Sequence, residues 1–396
     1  MKMDLDNIKE VTESNMTENL PTWFLWDWPG CEIPDGGRDP GPLGLAAYYV
    51  WAIAPPLLVM FGTMGNVLTV LIIALTFRRI RSVDAMLITL AVSDTAVLWS
   101  IAFRNWLIHL WGIDIRGAHA FVCKFTMFIC YCSFQYSAVV LVILTGERVM
   151  CILRPYSVYA QYNRKRVLIV ASGTFVFLMA LNSHLWFGFS TSPDPRYNSP
   201  LSKCGIDDLN YFVFLEKYYH WVHFVVGYSL PCALIVLGNV LIIRSLWKNR
   251  FENEPSAQNA FSRQMSEQRD NQRKSTTIML VSLNVMFFVT QTPAAILLAI
   301  GNNYIENANK FACSDFATYK HKAETFNIVQ SLIHTFVYFN SAVNFLLYVQ
   351  SGSKFRTHAR VLLTCSRKSL ECMTSLTHTD NIPSGTERAY IVQSSN

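Results

Sequence analysis

The stretch that decides the fold is CKFTMFICYCSFQYSAVVLVILTGERVMCILRP, residues 123–155. Residues 125–146 carry no charged side chain, and a helix of that length, rising about 1.5 Å per residue, crosses a hydrocarbon layer of roughly 30 Å. A cysteine opens the stretch, and the adjacent acid and base Glu147 and Arg148 stand near its end. The stretch therefore predicts a transmembrane helix with a charge pair where it leaves the lipid.

The composition of the whole chain agrees with a membrane protein. Of its 396 residues, 52% are hydrophobic and only 15% are charged, whereas a soluble domain carries about 25% charged residues. The net charge of +6 comes from basic residues in the connections between apolar runs. These residues are better explained as topology signals than as a nucleic-acid-binding surface. Residues 1–20 are polar and acidic, so we expect no cleaved signal peptide.

Seven apolar segments follow the first forty residues, each long enough to span a bilayer. The connections after the first, third and fifth segments, and the stretch after the seventh, are rich in Arg and Lys. The positive-inside rule then places the N-terminus outside the cell and the C-terminus in the cytoplasm of a plasma-membrane protein. The segments are approximately 43–77, 85–110, 120–153, 167–190, 219–247, 275–301 and 325–350.

Four regions follow from this reading, each with its own expected features. Asn15 begins a glycosylation acceptor triplet in the tail. The segment after the seventh helix has the pattern of a short amphipathic helix on the inner leaflet, where Cys365 and Cys372 are either palmitoylation sites or free thiols. The Ser/Thr-rich end suits phosphorylation and arrestin binding. The regions are an extracellular tail (1–42), a seven-helix domain (43–350), an amphipathic helix (351–366) and a cytoplasmic tail (367–396).

Short motifs within the apolar segments carry a family resemblance. They are Gly65-Asn66-Val67, Leu90-Ala91-Val92-Ser93-Asp94, Glu147-Arg148-Val149, Pro231, Pro293 and Asn344-Phe345-Leu346-Leu347-Tyr348. In this order, within seven spans, they resemble the rhodopsin family of G-protein-coupled receptors over residues 43–365. Leu181-Asn182-Ser183-His184 and Asn340-Ser341-Ala342-Val343-Asn344-Phe345 are similar to invertebrate neuropeptide receptors of the FMRFamide and myosuppressin type. The resemblance implies an all-α seven-transmembrane bundle that signals to a heterotrimeric G protein and is not an enzyme.

Four of the ten cysteines fall in predicted outer regions. An even number in an oxidising compartment implies up to two disulfides. In keeping with the resemblance, we expect Cys123 to pair with Cys204. The remaining two, Cys31 and Cys313, are then expected to pair with each other.

A carboxylate near the middle of the membrane, Asp94, needs polar partners because an unpaired charge there costs several kcal/mol. The resemblance implies that Asp94, Ser137 and Asn340 hold a sodium ion and water, with no other cofactor. A purely structural polar cluster, or a protonated Asp94, remains an alternative. The side chains available on neighbouring helices are Asn66, Ser137, Asn340, Ser341 and Asn344.

The predicted cytoplasmic end carries the residues for G-protein coupling. Pro293 should kink the sixth helix, and the resemblance implies that its inner half swings outward to open a cleft beside Arg148 and Tyr348. The acidic partner that the family usually places on this helix is absent. We therefore expect Glu147 and Thr277 to hold Arg148 at rest, in a resting state that is leaky.

The predicted outer half contains a polar and aromatic ligand site. Arg104 lies ten residues beyond Asp94, about 15 Å along a helix, where its charge needs a carboxylate, an amide oxygen or an aromatic face. Cys130 stands where amine receptors of this family have an Asp, which argues against a small amine. We expect a short peptide, amidated at its end, although each polar residue alone can instead make an interhelical hydrogen bond. The other candidates are Tyr131, Phe134, His223, Gln291, Leu298, Gln330, His334 and Tyr338.

Other functions remain as alternatives. A receptor for a non-peptide small molecule fits the same fold. A channel or transporter is disfavoured because the sequence shows neither internal repeats nor a ring of like charges. An intramembrane enzyme would need paired acids or a metal motif at membrane depth, and no such set occurs.

Overall fold

The computed structural model describes residues 39–76, 81–153, 164–193, 202–252 and 260–351, together with Phe355, Arg356 and Ala359. The described part is an all-α bundle, as predicted, and its only β-bridge joins Ser190 to Gly205. Seven of its helices are long and apolar enough to cross a membrane. They are α1 (Pro42–Thr76), α2 (Ser82–Trp111), α3 (Ala120–Leu153), α4 (Arg164–Leu181), α5 (Leu209–Ser245, whose last segment Leu230–Glu252 extends further), α6 (Ala260–Asn309) and α7 (Phe316–Ser351).

The outer face of the bundle is apolar, and polar side chains lie inside it. Ile53, Ile169 and Leu346 are 57%, 69% and 61% exposed, whereas Asn66 and Gln135 are almost completely buried. A surface of this kind is favourable against hydrocarbon, because each helix satisfies its own backbone hydrogen bonds. The bundle is that of a multi-pass membrane protein.

α3 occupies the centre and contacts α2, α4, α5 and α6. α1 and α7 approach each other closely at Gly62, where an added Cβ would lie 2.8 Å from the Cβ of Ala342 and 2.9 Å from its Cα. Only glycine allows this contact without a shift of one helix. The largest buried cluster draws on all seven helices, with Leu90, Leu144, Leu283 and Tyr348 among its members.

One end of the bundle, which we call the disulfide end, carries the predicted disulfide between Cys123 and Cys204, with their Cα atoms 5.5 Å apart. The Cys123–Cys204 bond ties α3 to the segment before α5. Cys313 is also disulfide-bonded. Its predicted partner, Cys31, lies outside the described residues, so that pairing stays a prediction.

A buried ion pair holds the α2–α3 connection against the same segment. The Arg116 guanidinium donates to both carboxylate oxygens of Asp114, at 2.8 Å and 2.7 Å, and to Ser202 at 3.2 Å. The backbone N–H of Lys203 donates to Asp114 Oδ2 at 2.9 Å. Burial alone would raise the pKa of the Asp114 carboxyl, but the hydrogen bonds and charge of Arg116 outweigh burial and hold that pKa below its usual value.

Two helices contain π-helical segments near the disulfide end. α2 widens at Leu98–Phe103, and α5 widens at Leu215–Tyr219 and Val225–Ser229. The last segment precedes Pro231, whose ring lacks an N–H and crowds the preceding turn. A π turn inserts one residue and rotates the following side chains by about 100° relative to a regular helix.

Several helices extend beyond their predicted ends. α5 begins ten residues before the predicted residue 219, α7 begins at Phe316 instead of 325, and α6 covers Ala260–Asn309 instead of 275–301. The added turns of α6 and α7 are polar, so hydropathy recognises only the part of these two helices that faces lipid. The added residues 209–218 of α5 are mostly apolar and aromatic. Most of the predicted eighth helix, 351–366, and nearly all of the tail 1–42 lie outside the described residues, as do Asn15, Cys365 and Cys372.

Candidate ligand cavity, polar core and Arg148 end

A cavity of about 450 Å³ lies between α2, α3, α5, α6 and α7 near the disulfide end. The side chains that line it, all within the described residues, include Arg104 but no Asp or Glu. The predicted ligand contact Tyr338 is fully buried behind the wall. The other eight predicted contacts line the cavity, and they are Arg104, Tyr131, Phe134, His223, Gln291, Leu298, Gln330 and His334.

Arg104 is held by the residue next to it. Its Nε and Nη2 donate to Asn105 Oδ1 at 3.1 Å and 2.7 Å, and Asn105 Nδ2 donates to the Tyr338 hydroxyl at 2.7 Å. A guanidinium has five N–H donors, so this chain orients Arg104 and leaves further donors for the cavity. Tyr338 therefore supports the site through Asn105 and does not line it.

A buried chain of polar side chains runs from α4 to His223. Gln135 Nε2 is 3.1 Å from His223 Nδ1, and Asn182 Nδ2 donates to Gln135 Oε1 at 2.7 Å. The Tyr219 hydroxyl donates to Asn182 Oδ1. Gln135 and Asn182 have no exposed surface. Neither Gln135 nor Asn182 was predicted as a site residue, although Asn182 belongs to a motif that carried the resemblance.

The floor and far wall of the cavity present acceptors. Gln291 is buried and lines the cavity, and its Oε1 has no hydrogen-bond partner in the described part of the chain. His334 Nδ1 lies 2.8 Å from the carbonyl oxygen of Gln330 and must donate to it, which leaves Nε2 of a neutral ring as an acceptor. Donors on one side and acceptors on the other suit a ligand end that carries both an oxygen and an N–H. Lining residues that the sequence did not suggest include Met127, Cys130, His220, Tyr228 and Phe326.

Asp94 lies in a buried polar core below the cavity. Its oxygens accept hydrogen bonds from Ser137 at 2.7 Å and Asn344 at 2.6 Å, and the Ser341 side chain also bonds to it. Asn66 donates to the backbone oxygen of Ser341 at 3.3 Å instead of contacting Asp94. This core connects α1, α2, α3 and α7.

The opposite end of the bundle, which we call the Arg148 end, differs from the expected arrangement. Glu147 accepts a hydrogen bond from Ser82 of α2 and, within the described part of the chain, makes no ion pair with Arg148. The Arg148 Nε is buried and has no hydrogen-bond partner among the residues that the structure describes. Adjacent residues on a helix point in different directions, so the Glu147 side chain contacts α2 more easily than it contacts Arg148. Thr277 and Tyr348 are both buried near this end.

A second polar contact, which we call the α3–α5–α6 triad, joins three helices above Arg148. Asn284 Nδ2 donates to Thr145 Oγ1 at 3.0 Å and to Asn239 Oδ1 at 3.2 Å. Thr145 and Asn284 are each 2% exposed. The triad fixes α6 against α3 and α5 at the end of the bundle where α6 lacks the acidic partner that the resemblance would give Arg148.

Comparisons with known proteins agree with this arrangement. The family model described as 7 transmembrane receptor (rhodopsin family) matches residues 65–348. Neuropeptide receptor 22 of Caenorhabditis elegans is 24% identical over 62% of the chain and 56% of that receptor, so the chain spans little more than half of it. The allatostatin-A receptor of Bombyx mori is 23% identical over 77% of the chain and 76% of that receptor. The thyrotropin-releasing hormone receptor of Bos taurus is 22% identical over 86% of the chain and 85% of that receptor.

Proposed function

Because the chain belongs to the rhodopsin family of seven-transmembrane receptors, we propose that it binds an extracellular peptide and activates a heterotrimeric G protein. It is a receptor and not an enzyme. We place it in the plasma membrane with the disulfide end outside and the Arg148 end in the cytoplasm. The basic connections after α1, α3 and α5 support this orientation.

The observation that carries the peptide proposal is the donor and acceptor pattern of the cavity. Among the described residues, Arg104 supplies a fixed positive charge, Gln291 supplies an acceptor without a partner, and no lining residue is acidic. An ammonium ligand would meet no carboxylate there, and burying an unpaired charge is costly. The relatives' names, which mention a neuropeptide, allatostatin-A and thyrotropin-releasing hormone, support the same class.

We further propose that the buried end of the peptide is a C-terminal carboxamide. Its oxygen matches the donors of Arg104, and its N–H groups match Oε1 of Gln291. A free carboxylate would satisfy Arg104 but would place a second acceptor against Gln291, leaving a buried group unpaired at a cost of about 1–3 kcal/mol. The amide therefore fits both sides of the cavity.

Signalling then follows from helix packing. Peptide contacts on α6 and α7 favour a second arrangement of the bundle, in which α6 bends at Pro293 and its Arg148 end moves away from α3. This movement breaks the α3–α5–α6 triad and opens a G-protein site beside Glu147, Arg148, Thr277 and Tyr348. Glu147 and the triad hold the closed form.

A sodium ion fits the polar core as an allosteric ligand of the closed form. Asp94, Ser137 and Ser341 bring a carboxylate and two hydroxyl oxygens together in a buried site, and hard cations prefer oxygen ligands. Asn340, which the resemblance adds to the set, is also buried. The ion would neutralise Asp94, and we expect sodium to weaken peptide binding only while Asp94 is intact.

The decisive experiment expresses the chain in cells that lack endogenous peptide responses and screens synthetic neuropeptides, each as its amide and its free acid. The readouts are calcium, cyclic nucleotides and GTP exchange on a co-expressed G protein. The proposal predicts nucleotide exchange with a preference for amides. Activation by non-peptide compounds alone would reject the peptide ligand, and an ion current without a G protein would reject the receptor mechanism.

A further inference from the structure

In the buried chain of hydrogen bonds from Tyr219 to His223, the geometry determines which group donates and which accepts at each step. Asn182 Nδ2 lies 2.8 Å from the backbone oxygen of Leu178, which can only accept a hydrogen bond. The NH₂ group of Asn182 must therefore face Leu178 and Gln135, and its oxygen must face Tyr219. The Tyr219 hydroxyl is consequently the donor to Asn182.

The hydrogen bond between Gln135 and His223 also has only one possible donor. Gln135 Oε1 accepts from Asn182, so the NH₂ group of Gln135 is the side that lies 3.1 Å from His223 Nδ1. An NH₂ group can only donate, and His223 Nδ1 must accept. A ring with a proton on Nδ1, whether neutral or charged, would set two N–H groups against each other.

We propose that Asn182 and Gln135 are positioning residues that fix His223 as the neutral tautomer with its proton on Nε2. His223 then offers one N–H to the cavity that it lines, and the peptide must bring an oxygen or an aromatic face to that point. The part of this inference that concerns the peptide rests on the proposed function, whereas the tautomer does not.

The contrast with the second histidine of the wall makes the assignment specific. His334 donates from Nδ1 to the backbone oxygen of Gln330, so its neutral ring carries the proton on Nδ1, whereas the ring of His223 carries it on Nε2. Two of the three histidines that line the cavity thus present opposite groups to a ligand, His223 a donor and His334 an acceptor. Nothing in the residue type distinguishes them, because the difference comes from the atoms behind each ring.

The tautomer can be measured without any ligand. The receptor is labelled with ¹⁵N-histidine, reconstituted in phosphatidylcholine vesicles and studied by magic-angle-spinning NMR at neutral pH, with His223→Gln identifying the signal. We expect an unprotonated Nδ1 and a protonated Nε2. The Gln135→Glu receptor, which has no donor for Nδ1, should gain a proton on that nitrogen, whereas Ser183→Ala, next to Asn182, should change nothing. A proton on Nδ1 in the unmodified receptor would overturn the inference.

Because Gln135→Glu buries a carboxylate, Gln135→Leu provides a second variant of similar size. It leaves both ring nitrogens without a partner, and we expect a mixture of tautomers in place of one. Cell-surface labelling and thermal unfolding show whether each variant folds. A single, unchanged tautomer in a folded Gln135→Leu receptor would also contradict the positioning role.

The donor role of His223 toward the peptide is tested with the most potent synthetic amide from the neuropeptide panel. His223→Gln can place an N–H near the Nε2 position, whereas the shorter His223→Asn cannot, so potency should fall about threefold in the first and at least tenfold in the second. Equal losses in both variants would reject the donor role of His223. If the tautomer is as expected and no peptide activates the receptor, the proposed function fails and the tautomer assignment stands.

Discussion

At the scale of single residues, Arg104 is the side chain on which the ligand proposal depends most. Arg104→Ala should weaken the potency of an active peptide about tenfold, equivalent to about 1.4 kcal/mol, because a charge-assisted hydrogen bond to the peptide is lost. Arg104→Lys retains the charge but lacks the planar guanidinium group, so its peptide potency should lie between those of the natural chain and Arg104→Ala. Concentration–response curves for calcium release measure the effect.

The control for this change is surface expression, measured by antibody binding to an N-terminal tag on intact cells. Arg104 bonds only to its neighbour Asn105 among the described residues, so its removal should leave expression unchanged. Unchanged potency together with unchanged expression would mean that Arg104 only packs in the wall.

Residue types predicted which side chains line the cavity better than they predicted the hydrogen bonds that hold those side chains. Arg104, Gln291 and His334 stand out in the sequence because they are polar within apolar segments, and all three line the cavity. Gln135 and Asn182 also interrupt apolar segments, but their importance depends on an order of contacts across three helices. One sequence does not contain that order. The same reason explains why Glu147 was assigned to Arg148 when Ser82 is its partner.

At the scale of elements, the buried pair Asp114–Arg116 should make the α2–α3 connection sensitive to acid. The pKa of Asp114 is below its usual value in the folded receptor. The carboxylate therefore stabilises the folded form above the unfolded pKa of about 3.9, and this stability is lost as the pH falls through the lower folded value. Below that value, protonation should remove on the order of 2 kcal/mol.

Thermal unfolding of purified receptor between pH 7 and pH 3 tests this expectation. Asp114→Asn should be less stable than the natural chain at pH 7, and the difference should shrink toward pH 3. Asp207→Asn changes an exposed carboxylate of the segment before α5 and should match the natural chain throughout. A constant difference between Asp114→Asn and the natural chain would contradict the assigned charge.

Loss of the α3–α5–α6 triad should raise signalling in the absence of peptide. Asn284→Leu removes two hydrogen bonds that hold α6 to Thr145 and Asn239, each worth about 1 kcal/mol. If only the closed form keeps these bonds, basal signalling should rise about thirtyfold, the equivalent of about 2 kcal/mol. Basal cyclic-nucleotide and calcium levels, normalised to surface receptor, give the measurement.

Ser282→Ala is the matched control on α6, because the Ser282 hydroxyl bonds only to the backbone of its own helix, at Ile278. It should leave basal signalling unchanged. Thr145→Val should reproduce part of the Asn284→Leu effect from the opposite side of the contact. Unaltered basal activity in both triad variants would show that the triad does not restrain α6.

At the scale of the whole molecule, hydropathy was sufficient for the seven spans and the bundle, because a lipid-facing helix must be apolar over its whole length. It did not predict the polar extensions of α6 and α7. It also did not predict the π-helical segment Leu98–Phe103, after which a regular period of 3.6 residues assigns side chains to the wrong face. Arg104 follows that segment directly, so its orientation depends on a feature that periodicity does not reveal.

The two ends of the bundle should also influence each other's affinity. If peptide binding favours the form that opens the Arg148 end, then a bound G protein must raise peptide affinity by the same factor, because coupling between two sites is reciprocal. In membranes with nucleotide-free G protein, peptide affinity should be about 5- to 150-fold higher than after addition of a GTP analogue, equivalent to about 1–3 kcal/mol. Arg148→Ala should abolish the difference and leave the low affinity intact, because Arg148 is remote from the cavity. If the peptide affinity of the natural chain is the same with and without the GTP analogue, the cavity and the Arg148 end are not coupled.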